Sequence, residues 1–406
     1  MKILILSQYY PPEIGAPQNR LHELAVRLKK EGVEVEVLTA MPNYPKMEIF
    51  EKYKNGKIRE EEIEGIKVYR SKIFVSKSKS ILARLLNYCS FVWTSYWRGR
   101  KLGNYDFLMV ESPPLFLGYS AMRLSKKLKA KLIFNVSDLW PESADKMGVV
   151  NNRRLLKMAY KLEAKCYKRA HLVTGQTMGI VDNIRSRFPT VNTFWLPNGV
   201  DVEFYQLEKT ATGDFRDRAG LKSNDVVFFY GGILGHAQGL STVLEAAKKV
   251  ESHDHIKIVL QGAGPEREGL LALKEKLGLK NVVFMSPVEK TQMPEILKSV
   301  DVALVPLRKL DIFRGAIPSK IFEALAMEKP LLLGVDGEAR THFIEKAEAG
   351  RFFEPENADD LALKLIEMAS NPAELNAMGE RARTYVSEHF NRDNIALKFY
   401  DVLRSN

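Results

Sequence analysis

The residues best suited to chemistry sit in three loops, each after an apolar run. In Ile317-Pro318-Ser319-Lys320-Ile321-Phe322-Glu323, Pro318 fits the first position of a helix and leaves the Ser319 and Lys320 amides unpaired and outward-facing. Those amides, the positive end of the helix dipole and the Lys320 ammonium together make a site for a diphosphate. Glu323, one turn on, can accept hydrogen bonds from ribose hydroxyls; outside this context the Lys320/Glu323 pair would be a surface ion pair. The stretch Gly231-Gly232-Ile233-Leu234-Gly235-His236-Ala237-Gln238-Gly239 holds more glycine than a turn requires. It lacks the Gly-Lys-Ser/Thr of a Walker loop, and Gly262-Ala263-Gly264 carries Arg267 where the dinucleotide fingerprint needs its third glycine, which disfavours NAD. The third loop is Pro11-Pro12-Glu13-Ile14-Gly15-Ala16. Its Gly15 lets backbone approach a phosphate or sugar, with a helix N-terminus behind it that favours anions, though a tight turn without a ligand would use the same residues. No Asp-x-Asp occurs, and His253-Asp254-His255 resembles a polar turn before a strand, so no metal is expected.

Such loops need strands to hold them, since ligands of parallel sheets bind beyond the strands' carboxyl ends. The apolar run Lys2-Ile3-Leu4-Ile5-Leu6 predicts a strand buried on both faces, followed by a helix over 18–30 and a strand over 33–38. Short strands are expected at 68–73, 107–110, 132–136, 172–174 and 193–196, with helices at 115–128 and 153–170. The pattern restarts after residue 200: strands at 226–230, 256–261, 282–285, 302–306 and 331–334 alternate with helices from 241 to 250 and to about 277. This alternation predicts an α/β fold of two doubly wound, Rossmann-like domains with parallel sheets facing each other across a cleft. The expected parts are 1–200, 201–385 and a terminal helix over 386–406, with the aperiodic stretch 198–221 as linker.

The chain has 406 residues, 45% apolar and 27% charged, which suits a soluble two-domain protein. No apolar run approaches the roughly 18 residues of a membrane span. The opening MKILILSQYYPP is too short an apolar core for a signal peptide and reads as a first strand. Cys89 and Cys166 make neither a disulfide framework nor a metal spacing. A cytosolic protein is expected. Charge is uneven: residues 1–200 carry 34 Lys/Arg against 18 Asp/Glu, and residues 201–406 carry 27 against 32. The basic half predicts an anionic partner unless its cations are simply solvated. Between Gly65 and Tyr105 there is no acidic residue, while Lys67, Arg70, Lys72, Lys77, Lys79, Arg84, Arg98, Arg100 and Lys101 alternate with Leu82, Leu86, Phe91, Trp93, Tyr96 and Trp97. That mixture over 65–105 suits an anionic membrane surface, with a buried core helix as the alternative. A second basic stretch, Arg153 to Arg169, can extend the same surface. No nucleic-acid-binding motif is present.

The order of PPEIGA, SDLWPES, LPNGVD, YGGILGHAQGL, QGAGP, MSPVEKTQMPEILKSVDVALVP and IPSKIFEALAMEKP resembles the family 4 retaining glycosyltransferases of GT-B fold. The nearest likeness is to the bacterial branch that builds O-antigen, capsule or exopolysaccharide with N-acetylated amino sugars. The resemblance covers essentially the whole chain, including Arg381–Leu403, which looks like the helix that crosses back onto the N-terminal domain. It implies a UDP-sugar donor, with Glu323 on the ribose, the backbone at Val288 on the base, and Ser319 and Lys320 on the diphosphate. Gly232 and Gln238 lie in the matching glycine loop, and Gly15 matches the glycine that closes over the donor phosphates. Asp138, in Ser137-Asp138-Leu139-Trp140-Pro141-Glu142, falls where the family places polar groups near the reacting sugar, although it could also cap a helix. Three positions depart from the family: Ile233 and Gln238 replace Arg and Lys of the glycine loop, and Gly315 replaces the first glutamate of Glu-x7-Glu. Lys320, Arg314, Arg308 or a charged His236 are the cations left to stabilise the leaving group. The resemblance further implies metal-independent front-face transfer with retention, domain closure, and a polyprenyl-diphosphate-linked saccharide acceptor at the inner membrane face, with no nucleic acid. A UDP-sugar epimerase of the same architecture and a non-enzymatic nucleic-acid binder are the alternatives.

Overall fold

The structure is a computed structural model that describes residues 1–13, 15–78, 80–146, 150 and 152–405. Ile14 of the first loop and Lys79 of the basic stretch lie outside the described residues. Contacts divide the chain into two units, Met1–Asn198 with Ile395–Asn406, and Gly199–Asn394.

In the first unit eight strands form one sheet: β1 Lys2–Leu6, β2 Glu34–Ala40, β3 Glu60–Ile63, β4 Ile66–Ser71, β5 Phe107–Ser112, β6 Lys131–Val136, β7 Leu172–Gly175 and β8 Thr193–Trp195. Their order is β3-β4-β2-β1-β5-β6-β7-β8, parallel throughout except for the antiparallel β3–β4 edge. Alternate residues of each strand enter two cores. Leu4, Leu6, Leu108 and Val110 pack under the helices Ile81–Gly99, Leu117–Lys127 and Arg153–Arg169. Ile3, Ile5, Phe107 and Met109 pack under the helix Ala16–Lys30 and against Ile395, Phe399 and Leu403 near the chain's end. Such burial on both faces is why these strands read as unbroken apolar runs. The order doubles back at β1, putting the crevice outside the β1 and β5 carboxyl ends.

The second unit repeats the design. Strands β9 Val226–Gly231, β10 Ile256–Gln261, β11 Val282–Met285, β12 Val302–Pro306, β13 Leu331–Gly334 and β14 Gly350–Phe352 form a wholly parallel sheet in the order β11-β10-β9-β12-β13-β14. Its crevice lies outside the ends of β9 and β12.

The two-sheet α/β expectation is met, with five differences. β3, Glu-Glu-Glu-Ile, was not expected, because at a half-exposed edge its charges hide the alternation. β14 has only three residues, too few for a periodicity. The strand expected at 68–73 runs over Ile66–Ser71, held in register by β2. The stretch 198–221 is no bare linker: Val200, Val202, Tyr205 and Phe215 are buried, and Arg383 donates to the Tyr205 and Val202 carbonyls. The Arg381–Leu403 stretch is likewise not one helix. Pro372–His389 stops where Phe390 turns into a cluster with Phe322 and Phe343, and Arg392–Ser405 starts afresh after Asn391 bridges to Val200.

Candidate active site

The glycine loop leaves β9 at the second unit's crevice. Gly232 has φ +142°, a conformation that disfavours any side chain, and its amide donates to the Gln261 carbonyl at 2.9 Å. A Cβ on Gly262 would collide with the Gly232 carbonyl, and one on Gly264 with Leu234, so both glycine segments pack backbone on backbone. This is a sterically closed pair of loops rather than a flexible one.

Lys320 comes up against this loop from the start of the helix Ser319–Ala326. Pro318 is the cap residue, one place earlier than its expected first helical position, and the Ile321 amide is the first to bond back, to the Pro318 carbonyl at 3.0 Å. The Ser319 and Lys320 amides therefore precede the helix's hydrogen-bond ladder. The Lys320 ammonium lies 3.6 Å from the Tyr230 ring centroid and 2.9 Å from where a Gly232 Cβ would stand. Lys320 is half-buried as a residue, but its charged end is sunk, and burial drops it to about 7 against the opposing pull of Glu323. Glu323 is raised from the usual glutamate value by burial, while Lys290, Arg392, a hydrogen bond from Tyr205 and Lys320 hold it down. Lys320 and Glu323 both line a cavity of about 30 Å³ with Gly231 and Met293. Thus Gly232, Lys320 and Glu323 are brought together, around a tyrosine the sequence did not single out.

The other expected donor residues lie on neighbouring loops. Val288 is half-buried in the segment after β11, whose Ser286 carbonyl accepts from Gln261 at 3.0 Å. Gln238 ends a short 3-10 turn whose Ala237 carbonyl accepts the Arg308 amide at 2.9 Å, bringing Arg308 beside the loop. His236 is exposed and meets Glu266 at 3.2 Å. Arg314 faces Asp336 at 3.9 Å beside a pocket of about 150 Å³ lined also by Arg308, Lys309 and Glu354.

Gly15 and Asp138 belong to the first unit. Gly15 has extended backbone, so its conformation makes no demand for glycine; its missing side chain makes room for the Gln18 amide, with which a Cβ would collide. The loop before it is tied down twice. Buried Glu13 accepts from the Tyr10, Asn43 and Tyr44 amides at 3.2, 2.8 and 2.8 Å, and buried Arg70 donates to the Pro11 carbonyl and to Glu61. Asp138 is exposed as a residue, yet one oxygen accepts from the Ser143 hydroxyl at 2.9 Å, and its partly desolvated carboxyl is raised from the usual aspartate value. Sequence reasoning missed its neighbour. Arg20 donates to Glu111 and Ser137, both at 2.7 Å, while Asn135 donates to Glu111 and Thr174 to Asn135 at 2.6 Å. The available signal was a carboxylate closing the apolar strand Phe-Leu-Met-Val-Glu-Ser, the kind of buried charge that needs a partner.

Comparison with known proteins gives the same outline. Residues 15–199 match the family model described as glycosyl transferase 4-like domain, and residues 212–385 match that of glycosyl transferases group 1. The chain is 26% identical over 418 residues to the putative colanic acid biosynthesis glycosyl transferase WcaI of Escherichia coli (strain K12), covering 100% of both. Among solved structures it is similar to sucrose-phosphate synthase from Thermosynechococcus elongatus, with TM-score 0.76 at 17% identity over 100% of this chain and 98% of that one. It is also similar to Anabaena HepE in complex with UDP and glucose, with TM-score 0.73 at 17% identity over the full length of both.

Proposed function

We propose, for a chain that belongs to the family 4 glycosyltransferases of GT-B fold, transfer of a sugar from a UDP-sugar to a lipid-linked saccharide during synthesis of a cell-surface polysaccharide. The observation that carries the donor reading is the meeting of Lys320, Gly232 and Glu323 at the β9/β12 crevice. Fixed amides at Ser319 and Lys320 and one ammonium suit a diphosphate, and Glu323 suits ribose hydroxyls. The HepE structure with UDP and glucose supports uridine as the base, to be held by the backbone at Val288. The WcaI relative, named for colanic acid biosynthesis, supports the polysaccharide product. An N-acetylated amino sugar is our reading of the transferred group.

Transfer would proceed on the front face with retention. The bond from the anomeric carbon to the diphosphate oxygen breaks, the acceptor oxygen bonds to the same face, and the acceptor proton passes to the departing oxygen. Lys320, Arg308, Arg314 and His236 are the cations available to the growing negative charge. Asp138 and Gly15 are assigned to the sugar and phosphates from the first unit. We propose metal-independent transfer, because the sequence has no Asp-x-Asp.

The acceptor's lipid fits the helix Ile81–Gly99. Phe91 is 0% exposed on its inner side, whereas Leu82 (68%), Leu86 (47%), Trp93 (66%) and Trp97 (41%) line the outer side at helical spacing. Arg100 stacks over Trp97 at 3.9 Å. Leu155 and Met158 are also exposed on the basic helix Arg153–Arg169. No described helix is long and apolar enough to cross a membrane. These features support peripheral attachment to an anionic bilayer, which we place at the cytoplasmic face. The experiment is turnover of UDP-N-acetylglucosamine with and without polyprenyl-diphosphate-linked N-acetylglucosamine, in EDTA, with the product's anomeric configuration read by NMR. Acceptor-dependent α-product is expected; acceptor-free epimerisation, or loss of turnover in EDTA, contradicts the reading.

A further inference from the structure

The stretch 201–205 begins at the last residue of the motif LPNGVD and folds as a turn against the helix that carries Glu323. The Asp201 carboxylate accepts the Glu203 and Phe204 amides at 3.1 and 3.0 Å, and the Tyr205 amide donates to the Asp201 carbonyl at 3.1 Å. This turn sends its two rings to different surroundings: Phe204 is 40% exposed and Tyr205 1%. Arg383 then fastens the turn down. Its guanidinium donates to the Val202 carbonyl at 3.0 Å and to the Tyr205 and Ala326 carbonyls, both at 2.5 Å. Ala326 closes the helix Ser319–Ala326 about one turn beyond Glu323, so one side chain ties the tyrosine to the glutamate's own helix.

A tyrosine this deep needs a polar partner, and its hydroxyl donates to the Glu323 carboxylate. Three cations act on the same carboxylate: Lys290, Arg392 and Lys320. Each is also held elsewhere. Lys290 lies 5.7 Å from the Phe204 ring centroid, Lys320 lies 3.6 Å from that of Tyr230, and the Arg392 amide donates to the Val200 carbonyl at 3.0 Å. Cations at such a distance attract a carboxylate without fixing its plane, whereas a hydroxyl donor occupies one lone pair of one oxygen. Two ribose hydroxyls need the remaining lone pairs in a fixed plane. A short, uncharged donor on a buried ring is the group suited to set that plane.

We propose that Tyr205 is a positioning residue for the nucleotide: its hydroxyl sets the plane in which the Glu323 carboxylate meets the 2′- and 3′-hydroxyls of a ribose. The inference rests on the donor reading above and adds the residue that orients its ribose contact.

Calorimetry on the full chain tests it with UDP and with 2′,3′-dideoxy-UDP, which lacks the hydroxyls assigned to Glu323. The unaltered chain should bind UDP about tenfold or more the tighter, the scale of hydrogen bonds to a charged group. Tyr205→Phe keeps the buried ring and should cut that preference severalfold, with affinity for the dideoxy nucleotide and the melting temperature little changed. Glu323→Ala should abolish the preference, and adding Tyr205→Phe to it should change nothing further. A preference that Tyr205→Phe leaves intact overturns the positioning role. So does an equal loss for both nucleotides, which marks a merely structural tyrosine. Failure of UDP to bind the unaltered chain sinks the donor reading and this inference with it. UDP binding that Tyr205→Phe does not make less selective sinks only the role of Tyr205.

Discussion

If the second unit binds a sugar nucleotide as proposed, Lys320 decides how that binding responds to pH. Sunk against Tyr230 with a pKa of about 7, it is only partly charged at neutrality when no ligand is present. A bound diphosphate favours the ammonium, so binding raises this pKa and takes up a proton. On the proposed donor reading, affinity for UDP-N-acetylglucosamine should be greatest below about pH 7 and fall by up to about tenfold per unit above it. Calorimetry between pH 6 and 9 should show that slope, and Lys320→Met should flatten it. Gly232→Ala is expected to cost about 1–3 kcal/mol of stability through its φ of +142° and to push the ammonium aside, weakening UDP binding as well. Lys320 and Glu323 were legible in the sequence because one proline and one helix turn set their spacing. Tyr230 was not, since it reaches Lys320 from a strand 90 residues earlier.

At the scale of elements, the helix Ile81–Gly99 is core on one side and exposed on the other, and the exposed side is the one proposed for a membrane. Co-sedimentation with phosphatidylglycerol vesicles should fall with salt and drop severalfold on Trp93→Ser/Trp97→Ser, while neutral vesicles should bind little. Equal binding to both vesicle types would count against the membrane assignment. Arg20→Ala strands the Glu111 carboxylate in a nearly dry site and should cost about 3–5 kcal/mol in urea unfolding, with Glu111→Gln recovering part of the loss in the double variant. That network escaped the sequence because its members come from one helix and three strands. Strands buried on both faces were legible as apolar runs, whereas β3 and β14 offered charge or brevity instead.

For the whole molecule, two sheets with the same switch-back order give two crevices, and the last residues of the chain belong to the first unit. Ending the chain at Asn394 removes Ile395, Phe399 and Leu403 from the core around Ile3 and Ile5. The first unit should lose about 5 kcal/mol or more by the area buried, while UDP still stabilises the second; urea unfolding with and without UDP would resolve the two. The central claim is that the second unit binds the uridine diphosphate part of a sugar donor through Lys320 without a metal. The most direct measurement is thermal unfolding with UDP, GDP, ADP or NAD in EDTA, for the unaltered chain and Lys320→Met. At about 100 times its dissociation constant UDP should add roughly 2.7 kcal/mol to the unaltered chain. GDP, ADP and NAD should add little, and Lys320→Met should lose most of the UDP effect. Stabilisation by UDP that survives Lys320→Met, or none by UDP at all, would contradict the account.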